Sequence, residues 1–402
     1  MEIGLGRHAK NLLIVALLST ALRSMGMSIV QVGLPSFVES LAGTLTSYGI
    51  IVGIFSLTQC IFQFPFAAAS DKLGRRKLVL FGMIIYFIGT ILCFTAPNIV
   101  LLTIYRAIQG AGAYTSILQA IIGDIYKKDQ HSKGMGYYSL TMNIGYLLGF
   151  VLGGFISSFL GFRSIFMAQG ILICISFIII FIVLKERDKN EIADSQNNNM
   201  DFSLKNIKTL LKNQQYFLAL IFNSVRWFIF GFITAYLIWL FQDKVRGFGL
   251  SEIISSILML GIMVLYVKFI YVASRLIKRY GPRKIIMIGQ IIVIGFGIFF
   301  FFPVFALKLP IFLFIIVFIG MGIAFIDPAG NTLLLEVIED IQSDLKGSGI
   351  GFNNAIGFFC SAIAPMIMSP LGEIEIALPF YVVMVMMIIS LVIFQFKVDK
   401  KY

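Results

Sequence analysis

Ser70-Asp71-Lys72-Leu73-Gly74-Arg75-Arg76-Lys77 is a short polar stretch between two long apolar runs, Leu45 to Ala69 and Leu78 to Ala96. It returns in weaker form in the second half of the chain. Gly74-Arg75-Arg76-Lys77-Leu78-Val79-Leu80-Phe81-Gly82 aligns with Gly281-Pro282-Arg283-Lys284-Ile285-Ile286-Met287-Ile288-Gly289, a shift of 207 positions from 74 to 281. Further matches keep the same order. Arg23 pairs with Arg226, Gly110-Ala111-Gly112 with Gly320-Met321-Gly322, and Lys133-Gly134-Met135-Gly136 with Lys346-Gly347-Ser348-Gly349. One coincidence would mean little, but four in one order indicate duplication. A basic loop between two apolar spans, repeated once per half, fits a two-fold membrane transporter better than a pore, a receptor or a membrane-bound enzyme.

Composition sets the solvent. The chain has 402 residues, 58% hydrophobic and 13% charged, with a mean hydropathy of +0.93. That much apolar surface requires a bilayer. Windows of about 20 apolar residues predict twelve spans near 11–35, 45–69, 77–96, 99–123, 135–159, 162–184, 216–241, 250–274, 284–304, 309–335, 347–370 and 375–396. Each span must satisfy its own backbone hydrogen bonds, so the spans are helices and the fold class is all-α. The first run, Asn11 to Phe37, is too long for the core of a signal peptide and reads as a retained span. The polar segment 185–215 divides the chain into two six-helix halves, 1–184 and 216–402. Within it, Phe202 to Leu211 has helical spacing suited to the membrane surface.

Charge sets the expected orientation. Of 32 Lys and Arg, four lie deep in spans (Arg23, Arg106, Arg226, Lys268) and four in outer loops (Arg163, Lys244, Arg246, Lys308), which leaves 24 in the inner segments. This bias predicts cytoplasmic N- and C-termini in the cell membrane. It also accounts for the net charge of +12 without nucleic acid. The four cysteines are scattered through apolar runs and form no metal set, and the two histidines, His8 and His131, fall in predicted loops. There is no phosphate-binding loop, no nucleophile–base pair and no ligand cluster. Neither an enzyme nor ATP-driven transport is expected, and no cofactor or metal.

Three motifs carry a resemblance to a known family. They are Asp71-Lys72-Leu73-Gly74-Arg75-Arg76 between spans 2 and 3, Arg106-Ala107-Ile108-Gln109-Gly110-Ala111-Gly112-Ala113 in span 4, and Gly145-Tyr146-Leu147-Leu148-Gly149-Phe150-Val151-Leu152-Gly153-Gly154 in span 5. Over nearly its whole length the chain resembles the major facilitator superfamily, and within it the drug:proton antiporter branch, closest in the Arg23-to-Gly74 and Gln109-Gly110 regions to the YajR-type exporters. Ala67 stands where the family's loop signature has its first glycine, and Phe150 where the antiporter signature has proline. The resemblance implies a monomer with two pseudo-symmetric halves about a midplane cavity. It also implies a gate at the loop between spans 2 and 3. Asp71, with Gly74, Arg75, Arg76 and Asp124, would meet the small residues Gly347-Ser348-Gly349 that open span 11. Gly145, Gly149, Gly153 and Gly154 would form the antiporter motif, the first three on one helix face.

The deep charges are the functional candidates, because each costs about 2.5–3.5 kcal/mol on insertion scales unless it faces a cavity or a partner. Asp327 is the lone deep acid and the candidate proton carrier, since a buried carboxyl exchanges its proton against the approach of an arginine. Arg106 either senses a cavity carboxylate or anchors span 4. Arg23 and Arg226, with Gln59, Trp227 and Asn354, are candidate substrate contacts, and two arginines can clamp an anion. The expected activity is alternating-access transport, foremost export of small organic or drug-like solutes coupled to protons. An alternative is a symporter or exchanger of an organic anion held by Arg23 and Arg226. An alternative from another class is a lipid scramblase or a transport-dead sensor on the same fold.

Overall fold

The structure, a computed structural model, describes residues 7–126, 131–184, 204–301, 308–341 and 346–399. The side chains of Asp71 and Asp124 lie outside the described set. The described residues are nearly all helical. In chain order the helices are α1 (Arg7–Ser40), α2 (Leu45–Leu73), α3 (Arg75–Thr95), α4 (Ile99–Ala111), α5 (Thr115–Ile125), α6 (His131–Leu160) and α7 (Ser164–Val183). They continue with α8 (Leu204–Lys212), α9 (Gln214–Gln242), α10 (Glu252–Tyr280), α11 (Pro282–Gly297) with a 3₁₀ extension, α12 (Leu309–Ile341), α13 (Lys346–Ile374) and α14 (Leu378–Lys397).

Eleven helices among the described residues are long and apolar enough to cross a membrane. The twelfth expected span, 99–123, is α4 followed by α5, interrupted at Gly112 to Tyr114. The cause is close approach. A Cβ on Gly112 would lie 2.5 Å from the Gly82 carbonyl oxygen and 2.5 Å from the Tyr86 nitrogen on α3, and one on Gly110 2.2 Å from the Phe55 carbonyl oxygen on α2. Here α4 is wedged against two backbones, and the helix re-forms after a hydrogen bond from Tyr114 N to Gly112 O at 2.8 Å. With both short helices counted as one span, this is the twelve-helix, two-half layout expected from sequence.

Helix starts follow local chemistry. Thr44 accepts from Ser47 N, Asn98 from Leu101 N at 2.9 Å, and Asn213 from both Gln215 N and Tyr216 N. These side chains satisfy amides that have no intrahelical partner. The quoted repeat has a backbone meaning too. Gly74 joins α2 to α3 at φ +99°, and Gly281 joins α10 to α11 at φ +82°. A side chain at that φ is strained, so both halves turn this corner on glycine. Gly281→Ala meets no neighbouring atom, so the expected cost of about 1–3 kcal/mol is purely conformational, from a φ of 82° and ψ of 159° that only glycine adopts freely. Thermal unfolding of the purified variant measures it.

The chain forms two compact units. The first holds residues 1–199 with Phe241–Asp243 and Gly249–Leu260; the second holds the remainder. The first unit thus includes the end of α9 and the start of α10. There Gln242 Nε2 donates to Val32 O at 2.8 Å, and Glu252 accepts from Ser36 Oγ at 2.8 Å and from Ser158 Oγ at 3.3 Å. In the second unit, α8 buries Ile207 and Leu210. Leu210 belongs to a core with Val337 and Ile338, and Gly349 of α13 presses on it. Ile207 and Leu210 of the helix expected at the membrane surface are therefore covered by the protein itself, while Leu211 is exposed.

Candidate functional site

The second unit brings its ionisable pair together from distant helices. Arg226 on α9 and Asp327 on α12 form an ion pair of 2.5 Å, with the arginine side chain 5% exposed and the aspartate 23%. Tyr266 on α10 donates its hydroxyl to the other carboxylate oxygen at 3.3 Å, and Asn331, one turn along α12, donates at 3.5 Å. The Arg226 guanidinium lies 4.9 Å from the centre of the Trp227 ring. Trp227 leans on Phe230 and Phe358, and Phe230 on Tyr266. Pro328 follows Asp327 within α12 and removes one helix hydrogen bond beside it. Tyr266 was not among the sequence candidates, because a single tyrosine in a span carries no pattern that distinguishes it.

The first unit holds its cations differently. Arg106 is 6% exposed; its Nη1 donates to Gln109 Oε1, and the guanidinium lies 4.2 Å from the Phe55 ring centre. Gln109 Nε2 donates to Thr90 Oγ1 and to Gln169 Oε1, both at 2.7 Å, and Gln169 Nε2 donates to Tyr86 Oη at 2.9 Å. This is a buried network across α3, α4 and α7. Gln169 was missed from sequence, although a glutamine inside an apolar run was the available signal. Arg23, 9% exposed, faces the rings of Tyr86 and Tyr114 at 5.8 and 5.6 Å. Two desolvated cation–π contacts at about 2 kcal/mol each are comparable with the cost of placing the charge there. Among the described residues it has no carboxylate partner. Lys268 is exposed on α10.

The remaining candidates are placed as follows. Gln59 Nε2 donates to Thr115 Oγ1 at 3.4 Å, bridging α2 and α5, and Asn354 is exposed on α13. The span 5 glycines face α1. A Cβ on Gly145 would lie 2.5 Å from Ala21 O, on Gly149 2.2 Å from Met25 O, and on Gly153 2.9 Å from Ile29 Cα. Gly154 points elsewhere, 2.2 Å from Ser256 Oγ. Phe150, at the signature's proline position, is 2% exposed and continues the helix.

The loop motif has a structural counterpart in each half. Arg75 Nη1 donates to Ser70 Oγ at 3.1 Å. Arg76 Nη2 donates to Phe181 O at the end of α7, at 2.9 Å, and stacks on the Phe181 ring. Its repeat partner Arg283 does the same to α14, donating to Val398 O at 2.5 Å and Gln395 O at 3.2 Å beside the Phe394 ring. Each arginine staples the helix after the corner glycine to the last helix of its own half. Arg283→Gln is expected to lower stability by about 1–3 kcal/mol, and Arg76→Gln, which loses one exposed bond rather than two, by less; melting curves of the two variants compare them.

Comparison with known proteins agrees with this layout. The sequence profile of the Major Facilitator Superfamily matches residues 16–365. The inner membrane transport protein YajR of Escherichia coli is 31% identical over 153 residues, 38% of this chain and 34% of its own length. Multidrug resistance protein 2 of Bacillus subtilis is 24% identical over 95% of this chain and 94% of its own length. The first curated relatives are matched over only 39%, 60% and 34% of their lengths. A bacterial homologue of the human lysosomal transporter Spinster, solved in an inward-facing, unoccupied conformation, superposes with a TM-score of 0.78 at 14% identity, covering 97% of each chain. The profile, which spans most of the chain, places this integral multi-pass membrane protein in the Major Facilitator Superfamily, and the solved structure shares its fold.

Proposed function

We propose that this chain is a proton-coupled exporter of small organic solutes and that Asp327 carries the proton. The observation behind this reading is the Arg226–Asp327 pair, whose cation is buried while its carboxylate is partly exposed. A guanidinium stays charged at any physiological pH, so the aspartate is the member that can change state. Deprotonated, the pair is neutral. Protonated, it leaves a net positive charge in a low-dielectric site, which strains the arrangement and favours a conformation that relieves it. Tyr266 and Asn331 hold the carboxylate in position for that exchange. The multidrug resistance protein of Bacillus subtilis supports the solute class.

In this reading residues 1–184 and 216–402 are the alternating halves, 185–215 is a cytoplasmic linker, both termini are cytoplasmic, and the protein works as a monomer in the plasma membrane. Asp71 and Asp124 complete the gate at the α2–α3 corner. Liposomes holding the purified protein and an entrapped pH dye test the coupling against a panel of organic anions, neutral compounds and cations. An effective solute is expected to drive protons in the direction opposite to its own. Proton movement in the same direction, or none with any solute, overturns the proposal.

A further inference from the structure

We propose that the first unit contains an organic-anion subsite centred on Arg23, which takes a monocarboxylate carried on an aromatic or otherwise apolar body. The inference rests on the transporter reading above but not on Asp327 as the proton carrier.

It comes from comparing the deep cations. Arg226 is neutralised by Asp327. Arg106 is engaged by Gln109 and set over Phe55. Lys268 is exposed. Arg23 is buried like these arginines, and like theirs its Nε has no partner; what sets it apart is that among the described residues no acid and no hydrogen-bond acceptor meets it. What surrounds it is aromatic. Tyr86 and Tyr114 stand edge to face at 5.7 Å and form a corner against its guanidinium. Ring faces attract a cation but accept none of its five N–H bonds. The fork of the guanidinium is thus held in place and left unused, and a carboxylate is the shape that fits it bidentately.

A second, independent observation points to the same ligand. Tyr114 is fully buried, and its hydroxyl has no hydrogen-bond partner. This unmet donor is carried on a ring that contacts the guanidinium, so it is available to an oxygen of an incoming carboxylate. One arginine with no acid beside it balances a single negative charge, so a monoanion fits. The tyrosine rings supply the apolar wall for its body. The site is also built to hold still. Tyr86 is pinned by Gln169, which is tied through Gln109 to Thr90 and Arg106. The α1 segment carrying Arg23 lies against the glycine face of α6 at Ala21 and Met25. Arg23, with Tyr114 beside it, would bind the substrate; Gln169 is a positioning residue.

The test is ligand-induced thermal stabilisation of the full-length protein in detergent at fixed pH, with no gradient. The probes are naphthalene-2-carboxylate, its uncharged primary amide, a size-matched aromatic amine, a panel of benzoates and aliphatic monocarboxylates, and chloride. Saturable stabilisation is expected from the aromatic carboxylates. It should be weaker by about 10- to 100-fold in Kd for the amide, as expected for losing a charged hydrogen-bond pair. Arg23→Gln should produce the same loss, and Arg23→Lys, which keeps the charge but not the fork, an intermediate one. Gln169→Leu is expected to weaken the carboxylate a few-fold while leaving the preference for carboxylate over amide. Equal binding of acid and amide, binding that survives in both Arg23 variants, chloride competing as well as the carboxylates, or no carboxylate binding at all would each overturn the site. Binding and proton flux measured on the wild type separate the two proposals. Retained carboxylate binding with no proton coupling in the wild type removes only the proton reading. Solute-driven proton flux without carboxylate binding removes only the anion site.

Discussion

Replacing Asp327 by asparagine is expected to abolish solute-driven proton movement while leaving solute-for-solute exchange. Asparagine keeps the size of the side chain and an oxygen to face Arg226 and Tyr266, but it takes up no proton in the physiological range. The wild type should export faster as the outside is acidified relative to the inside, and the variant should ignore that gradient. A variant that keeps its gradient dependence would place the proton elsewhere. The pair should also show in stability. Asp327→Ala leaves a buried guanidinium with no acid, which costs about 3–5 kcal/mol in fully buried pairs, and less here because the carboxylate is 23% exposed. Removing both charges, in Arg226→Met with Asp327→Leu, should recover most of that loss, because no isolated charge remains. A double-mutant cycle by thermal unfolding reads the coupling directly. An additive result would mean that the two side chains do not support each other.

The second large effect is expected at Gly149. A methyl group there would sit 2.0 Å from Ser28 Oγ and 2.2 Å from the Met25 carbonyl oxygen. Ser28 can rotate away, but the Met25 backbone cannot, so α6 must back off from α1. Overpacking of this kind costs about 1–3 kcal/mol, and in this place it also displaces the segment that carries Arg23. Gly149→Ala should therefore melt several degrees lower and lose substrate-dependent stabilisation, and Gly149→Leu should not accumulate as folded protein. Gly261→Ala is the control, because nothing lies within 4 Å of that position and alanine is the better helix former. It should be neutral or slightly stabilising. The second half makes the same contact with the residues exchanged, glycine at Gly231 on α9 against Ser361 on α13. The close helix approach thus recurs in both halves, whichever helix supplies the glycine.

Much of this was legible before any coordinates. Twelve apolar runs, the basic bias and the ordered repeats required a duplicated helical membrane protein, because hydropathy and loop charge act locally along the chain. Gly74 and Gly281 stood out as a repeat, and their positive φ explains why both copies need glycine there. The glycine spacing of span 5 correctly predicted one packed face for Gly145, Gly149 and Gly153. The interruption of span 4 was not legible, since Gly110-Ala111-Gly112 fits an unbroken helix as well as a broken one. The break comes from the backbones of α2 and α3, which approach from elsewhere in the chain.

The functional charges divide along the same line. Sequence named Arg23, Arg106, Arg226 and Asp327, because a charge inside an apolar span is expensive wherever it occurs. It offered either of two roles for Arg106 and an equal partnership for Arg23 and Arg226. Tertiary structure set the pairings. Arg226 meets an acid 101 positions away, counting from 226 to 327, and a tyrosine from a third helix. Arg106 is tied into a glutamine network, and Arg23 is left with aromatic faces alone. Which residues must be buried follows from composition and spacing, because solvation acts on each residue separately. Which of them neutralise one another depends on distances of a few ångströms between helices far apart in sequence, and only the packed structure sets those distances.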